Sequence, residues 1–237
     1  MHNSAKQLLK NKLLEKWIAD GYLVKKYYEK KIAKYSINSE ASLDWRTKEM
    51  HDLFFSHVLD GVNFSSVNSI LDVGCGICGI VDYLDSLGVE NFNYLGIDIV
   101  DSFISVAQNK YFERDVDVLN KNFLNEDFWP KRNFDLVLNL GGLNSKVRFQ
   151  YSFLQYNIEK MILCSSKYVA FNVLIKVKNT YFKKNKLRAV GAIASFDEDK
   201  LIAILKKISL KYNIDFDIKK ISIFEGSIDA FVLIKLL

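Results

Sequence analysis

The segment ILDVGCGICGIVDYL, residues 70–84, places three kinds of potential chemistry side by side. Gly74, Gly76 and Gly79 satisfy G-x-G-x-x-G, a turn whose missing side chains let backbone N–H groups approach the pyrophosphate of a dinucleotide. Cys75 and Cys78 form a C-x-x-C, a spacing shared by redox and metal sites. Asp72, two residues ahead of the first glycine, sets a carboxylate beside the turn, where a pyrophosphate would be repelled. A zinc site needs more ligands, and the remaining cysteine, Cys164, is distant in sequence. The two cysteines therefore read as small residues in a tight turn, and no metal is expected.

The elements around this turn decide how it is held. Leu9, Leu13, Leu14 and Trp17 recur at helical spacing, as do Leu53, Phe54 and Val58, so the first 67 residues read as mainly helical. VNSILDV is a buried strand leading into the glycine turn. Ile80, Val81, Leu84 and Leu87 then mark a helix that Gly88 stops. NYLGID is a second strand, followed by a helix with Phe103, Ile104, Ala107 and Tyr111 inward and Asp101 as its cap. VDVL and FDLVLNL read as third and fourth strands. A helix covers 149–163, and YVAFNVLI is continuous and apolar, as in the middle of a parallel sheet. Leu201, Ile204, Leu205 and Ile208 give a further helix, with Asp197, Glu198 and Asp199 at its start and lysines at its end. IDFDIKKISIF and IDAFVLIKLL, joined only by EGS, must pair as an antiparallel hairpin. The expected architecture is a three-layer α/β domain, mostly parallel, closed by an antiparallel hairpin strand. Residues 1–66 would form a helical cap or lid, and 67–237 the sheet domain, as one structural unit.

Totals narrow the field. The 237 residues are 49% hydrophobic and 26% charged, enough for one substantial core. The formal charge of +5 comes mostly from scattered lysines, which reads as a solvated surface more than as a nucleic-acid footprint. No run approaches the ~18 apolar residues of a membrane span. The start MHNSAKQLLKNKLLEKW lacks the apolar region of a signal peptide, and three cysteines suggest no disulfide framework, so a reducing cytoplasm is expected. A dinucleotide domain would also need a second mononucleotide-binding half, where this chain has a hairpin.

LDVGCG, followed 24 residues after Gly74 by Asp98 at the end of YLGID, resembles the first motif and the acidic second-strand terminus of class I S-adenosylmethionine-dependent methyltransferases. The resemblance runs over roughly residues 45–237, through FDLVLNL and the closing hairpin, and looks most like bacterial enzymes acting on small molecules. It implies a Rossmann-like fold with the last strand antiparallel beside the sixth. It also implies S-adenosylmethionine as cofactor and S-adenosylhomocysteine as product. Asp72 would face the ammonium while Gly74, Cys75 and Gly76 bring backbone to the methionine part. Asp98 would accept both ribose hydroxyls, Ile99 would cover the adenine, and Asn122 would read the adenine amino group through its side-chain oxygen, with Phe123 beside the ring. Asn139 and Leu140, ending the fourth strand, would lie under the methionine and face the acceptor. The family commonly has glycine where Cys78 stands, which suggests a turn widened or shifted onto Gly79. Trp45 matches a tryptophan that related enzymes set near the methionine carboxylate, but Phe54 takes the place of their arginine, leaving Arg46 as a substitute.

The resemblance leaves the acceptor and the catalytic residues unassigned. His51 is a candidate general base, and at least one of His51 and His57 should serve packing. Lys176, Lys178, Lys183, Lys184, Lys186 and Arg188 could attract an acidic or phosphate-bearing acceptor, such as a nucleotide-linked sugar or a surface-polysaccharide precursor, with 176–195 as part of a lid. A nucleic-acid methyltransferase of the D/N-P-P-Y/F type is disfavoured, since that place reads NLGGLN, and RNA or tRNA remains an alternative acceptor. A scaffold that binds S-adenosylmethionine without catalysis is the other alternative.

Overall fold

The computed structural model describes residues 2–37, 47–125, 128, 133–177, 193–224 and 226–237, with only the backbone path considered for 2–10 and 177. Two helices come first, α1 (His2–Tyr35) and α2 (Lys48–Val58). There follow β1 (Ser69–Val73), α3 (Gly79–Ser86), β2 (Asn93–Asp98), α4 (Asp101–Lys110), β3 (Val116–Asn120) and β4 (Phe134–Asn139). The chain finishes with α5 (Gln150–Cys164), β5 (Ser165–Val177), α6 (Glu198–Tyr212), β6 (Ile214–Ile221) and β7 (Ser227–Leu236).

The strands form one seven-stranded sheet in the order β3-β2-β1-β4-β5-β7-β6. The pairs among β1–β5 are parallel, and β7 runs antiparallel between β5 and β6. Three layers follow from the period-2 alternation of strands that are apolar on both faces. Leu71, Val137, Val169 and Phe171 pack with Leu154, Ile158, Leu201 and Leu205 of α5 and α6 on one face. Ile70, Leu136, Leu138 and Ala170 pack with Phe54, Ile80, Leu84 and Ile104 of α2–α4 on the other.

Most expected elements are present, and the differences have local causes. Leu53 is 42% exposed and Phe55 takes the inward position beside Phe54 and Val58. Asp101 does not cap α4: the N-cap is Val100, whose own N–H is held by Asp98, while Asp101 pairs with Lys25 of α1. Asp197 does cap α6, accepting the Lys200 N–H at 3.0 Å.

Helix α1 runs along the edge where the parallel strands end. Trp17 packs edge-on to Phe153 and beside Tyr156 of α5, and donates its indole N–H to the Arg148 carbonyl at 2.8 Å. Asp20, 1% exposed, accepts the Arg148 backbone N–H at 2.8 Å and its Nε at 2.9 Å. Farther along, Tyr28 meets Phe103 of α4. The helix thereby bridges the β4–α5 connection and α4 across the carboxyl edge.

Replacing Asp20 with Ala leaves the guanidinium and amide of Arg148 without their carboxylate. Urea unfolding should lose about 1–3 kcal/mol, with protease cleavage inside α1 preceding loss of the sheet core. Unchanged stability and cleavage would contradict this docking.

Candidate functional site

The glycine turn is fastened to the neighbouring strand by its first two amides. Gly74 and Cys75 both donate to the Ile97 carbonyl, at 2.8 and 3.1 Å. Gly74 and Gly76 have φ of +78° and +55°, values that glycine adopts without steric cost. Cys78 is left-handed as well, at φ +61°, where a side chain costs roughly 1–2 kcal/mol. The turn is therefore not shifted onto Gly79: Cys78 takes the conformation itself, fully buried, just ahead of α3. Gly79 serves a different need, since a Cβ there would lie 3.1 Å from His51 Cε1. The third glycine of the motif lets α2 approach.

The cysteines are buried and free. Cys75 Sγ occupies the space that Gly96 leaves, where a Cβ would come within 2.9 Å. Burial pushes the Cys75 thiol well above its ordinary range, the reverse of an activated thiolate. Only the backbone of Cys75 belongs to the turn's ligand-facing side. Among the described residues, no three His, Cys, Asp or Glu side chains are grouped to hold a metal ion.

Two carboxylates flank the turn. Asp98, closing β2, accepts the Gly76 N–H on Oδ2 at 3.0 Å and the Val100 N–H on Oδ1 at 2.8 Å. Each oxygen keeps a further lone pair, so the group is aimed and still able to accept. Its pKa is raised, because desolvation outweighs the backbone donors that favour the charged form. Asp72 is 6% exposed and accepts the Tyr94 hydroxyl at 2.8 Å. Burial lifts it to about 7, against the stabilising Tyr94 bond, and nearby Asp98 adds to the rise.

All ten residues expected at the cofactor site line one cavity of about 420 Å³: Asp72, Gly74, Cys75, Gly76, Asp98, Ile99, Asn122, Phe123, Asn139 and Leu140. Asn122 differs from expectation in detail. Its Oδ1 holds the Leu124 N–H at 2.9 Å, while Nδ2 would stand 3.3 Å from a Cβ at Gly21. The amide nitrogen thus faces α1, and the oxygen has one lone pair left. Lys160, 2% exposed, fastens this loop by donating to the Phe123 and Asn125 carbonyls at 2.5 and 3.0 Å.

Helix α1, expected within the cap over residues 1–66, lines the cavity with Trp17, Gly21, Val24, Tyr27 and Tyr28, side chains that sequence reasoning did not single out, and Gly21 lies against Asn122 and Ile99 at the Asp98 end. A second wall was missed altogether. Asn172 on β5 and Asp229 on β7 line the other end. The signal for Asn172 and Asp229 was a lone polar residue inside each of two apolar runs, YVAFNVLI and IDAFVLI, since a buried polar group needs a reason. Asn172 accepts the Gly141 N–H at 2.8 Å and donates to Asp229 Oδ1 at 2.9 Å.

The histidines separate. His51 lines the cavity, with its ring 4.3 Å from that of Phe55, and desolvation lowers its pKa to about 4, so it is neutral near pH 7. His57 packs against Phe231 instead. Phe54 is a cavity wall, against Phe224 and Phe231 at 5.7 and 5.4 Å. Trp45, Arg46, Lys178, Lys183, Lys184, Lys186 and Arg188 lie outside the described residues, and Lys176 is exposed at the end of β5.

Comparison with known proteins agrees with this geometry. Residues 70–159 match the family described as methyltransferase domain. Over that stretch, from β1 into α5, the chain is similar to methyltransferase domains. A protein of Invertebrate iridescent virus 6, provisionally named methyltransferase 235L, is 25% identical over 143 residues, 60% of this chain and 51% of that one. The chain thus matches about half the length of this curated relative. Among solved structures, the magnesium protoporphyrin IX methyltransferase ChlM from Synechocystis PCC 6803, with bound S-adenosylhomocysteine, aligns with TM-score 0.65 at 13% identity, over 92% of this chain and 100% of that one. The plantazolicin methyltransferase BpumL, in complex with S-adenosylhomocysteine, gives 0.61 at 15% identity, over 97% and 100%. The [4+2]-cyclase SpnF gives 0.57 at 12% identity, over 78% and 81%. These likenesses concern the fold, and SpnF's name shows that the fold does not by itself fix a reaction.

The raised pKa of Asp72 carries a sign. The folded state keeps its proton up to about 7, whereas an unfolded aspartate loses it near 4. Its contribution to stability is full below about 4 and is lost as pH rises through 7. Unfolding free energies should therefore show the ligand-free wild type losing ground to Asp72→Asn across that window. Parallel pH curves for the two proteins would contradict it.

Proposed function

We propose that this domain binds S-adenosylmethionine and transfers its methyl group to nitrogen or oxygen of a small molecule. The observation that carries the reading is Asp98, fixed by one backbone N–H on each oxygen and still free to accept two hydroxyl hydrogens of a ribose. An orphaned acceptor supports the other end. Asn139 Oδ1 is buried without a hydrogen-bond partner, and it occupies the space left by Gly142, where a Cβ would lie 2.8 Å away. An ammonium supplies the donor that this oxygen lacks and a second one to Asp72 beside the Tyr94 hydroxyl, and its positive charge favours ionised Asp72. A pyrophosphate offers no donor and adds negative charge to a wall holding Asp72, Asp98 and Asp229.

When bound, S-adenosylmethionine supplies an electrophilic sulfonium methyl, which an acceptor lone pair takes while the carbon–sulfur bonding pair returns to sulfur. The protein's part is positional. The turn and Asp98 fix the adenosyl end, Asp72 and Asn139 the amino-acid end, and α1 excludes water from above, so alignment supplies most of the acceleration. We read residues 1–66 as the cap of this site, with α2 sharing the core of 67–237. The phosphate-bearing acceptor suggested by 176–188 draws no support from the described wall, which is acidic and apolar at its far end. Among the described residues no helix is long and apolar enough to cross a membrane, and we place the protein in the cytoplasm on its three free cysteines.

Calorimetry should register S-adenosylhomocysteine and give no heat with NADH. Asp98→Ala removes two bonds to a charged acceptor, so affinity should fall by about 10- to 100-fold or more. Binding of NADH, or an Asp98→Ala variant with unaltered affinity, would overturn the reading.

A further inference from the structure

Two buried side-chain oxygens in the described structure have no hydrogen-bond partner, Asn139 Oδ1 and Asp229 Oδ2, and both residues line the cavity. The first belongs with the proposed amino-acid end. The second lies elsewhere. Asp229 stands near the start of β7, opposite Leu174 of β5, and so at the edge where the parallel strands end. In the sheet order, β7 is three strands from β1 and four from β2. At ~4.8 Å per strand, that places it roughly 14 Å beyond the strand of Asp72.

Asp229 is built to be held still. It is 1% exposed, and its Oδ1 takes the Asn172 amide at 2.9 Å. Asn172 in turn is fixed by the Gly141 N–H, at 2.8 Å, from the loop that follows Asn139. One carboxylate oxygen is thereby spent on orientation, and the other is buried without a partner in a residue that lines the cavity. Leaving such an oxygen without a donor costs free energy that a purely structural role would not repay. Burial raises the carboxyl to about 6, so it is largely ionised near pH 7. The cavity wall that includes Asp229 also holds the apolar Leu174, Ile193, Phe54 and Phe224, beside the uncharged Asn144, Ser145 and Ser227.

We propose that Asp229, steadied by Asn172, is the acceptor subsite, and that it takes the N–H or O–H of an amine or alcohol carried on an apolar body. An acidic head group is rejected there, because its charge would meet a desolvated carboxylate. This inference rests on the methyltransferase reading, and it names the chemistry of the acceptor's reacting end.

The test uses the full chain saturated with S-adenosylhomocysteine, and phenethylamine, phenethyl alcohol and phenylacetate as probes of matched body. The wild type should bind the amine and the alcohol ahead of the carboxylate, by about tenfold or more for the charge-assisted bond. In Asp229→Asn the amine preference should collapse, with S-adenosylhomocysteine affinity and melting temperature retained. Amine and alcohol binding no better than phenylacetate in the wild type, or a preference surviving in Asp229→Asn, overturns the inference alone. Loss of S-adenosylhomocysteine affinity in a folded Asp229→Asn protein also overturns it, by assigning Asp229 to the cofactor end. Absence of S-adenosylhomocysteine binding by the wild type would overturn the functional reading and this inference with it.

Discussion

The Ile97 carbonyl accepts two consecutive amides of the glycine turn, and the geometry of the site follows from that anchorage. It fixes the end of β1 against the end of β2, which sets how far apart Asp72 and Asp98 stand. The same turn then delivers the Gly76 N–H to Asp98, so the carboxylate is oriented by the loop it helps to shape. Without this clasp two buried carboxylates would repel each other and turn toward solvent. With it, both are held at one cavity, charged or poised to be charged, and able to accept further hydrogen bonds. A ligand with a diol at one end and an ammonium at the other supplies the donors.

The cover over this site is made from a part of the chain remote in sequence. Trp17 and Asp20 reach the Arg148 region across more than a hundred residues. Gly21 allows α1 to come down onto Asn122 and Ile99. The 34-residue helix is thereby tied to the loops on which it packs.

The fold was legible because both faces of the strands are buried and the runs are correspondingly apolar. That the residues around the glycine turn share one cavity was legible for a related reason: they lie near one turn and the ends of neighbouring strands. What escaped was set by contacts between distant segments. Cys78 in a left-handed conformation cannot be anticipated from its type, since its full burial is what compensates the strain. Gly79 looked like part of the ligand turn and proved to be the seat of His51, a matter of helix packing. The Asn172–Asp229 pair joins residues 57 positions apart, visible in sequence only as two polar interruptions.

The central claim is that the carboxylates at the ends of β1 and β2 grip opposite ends of one S-adenosyl ligand. A crystal structure grown with S-adenosylhomocysteine tests it most directly. The account predicts both ribose hydroxyls within hydrogen-bond distance of Asp98, and the amino group against Asp72 and Asn139. A ligand bound outside this cavity, or lying in it with the ribose away from Asp98, would contradict the account.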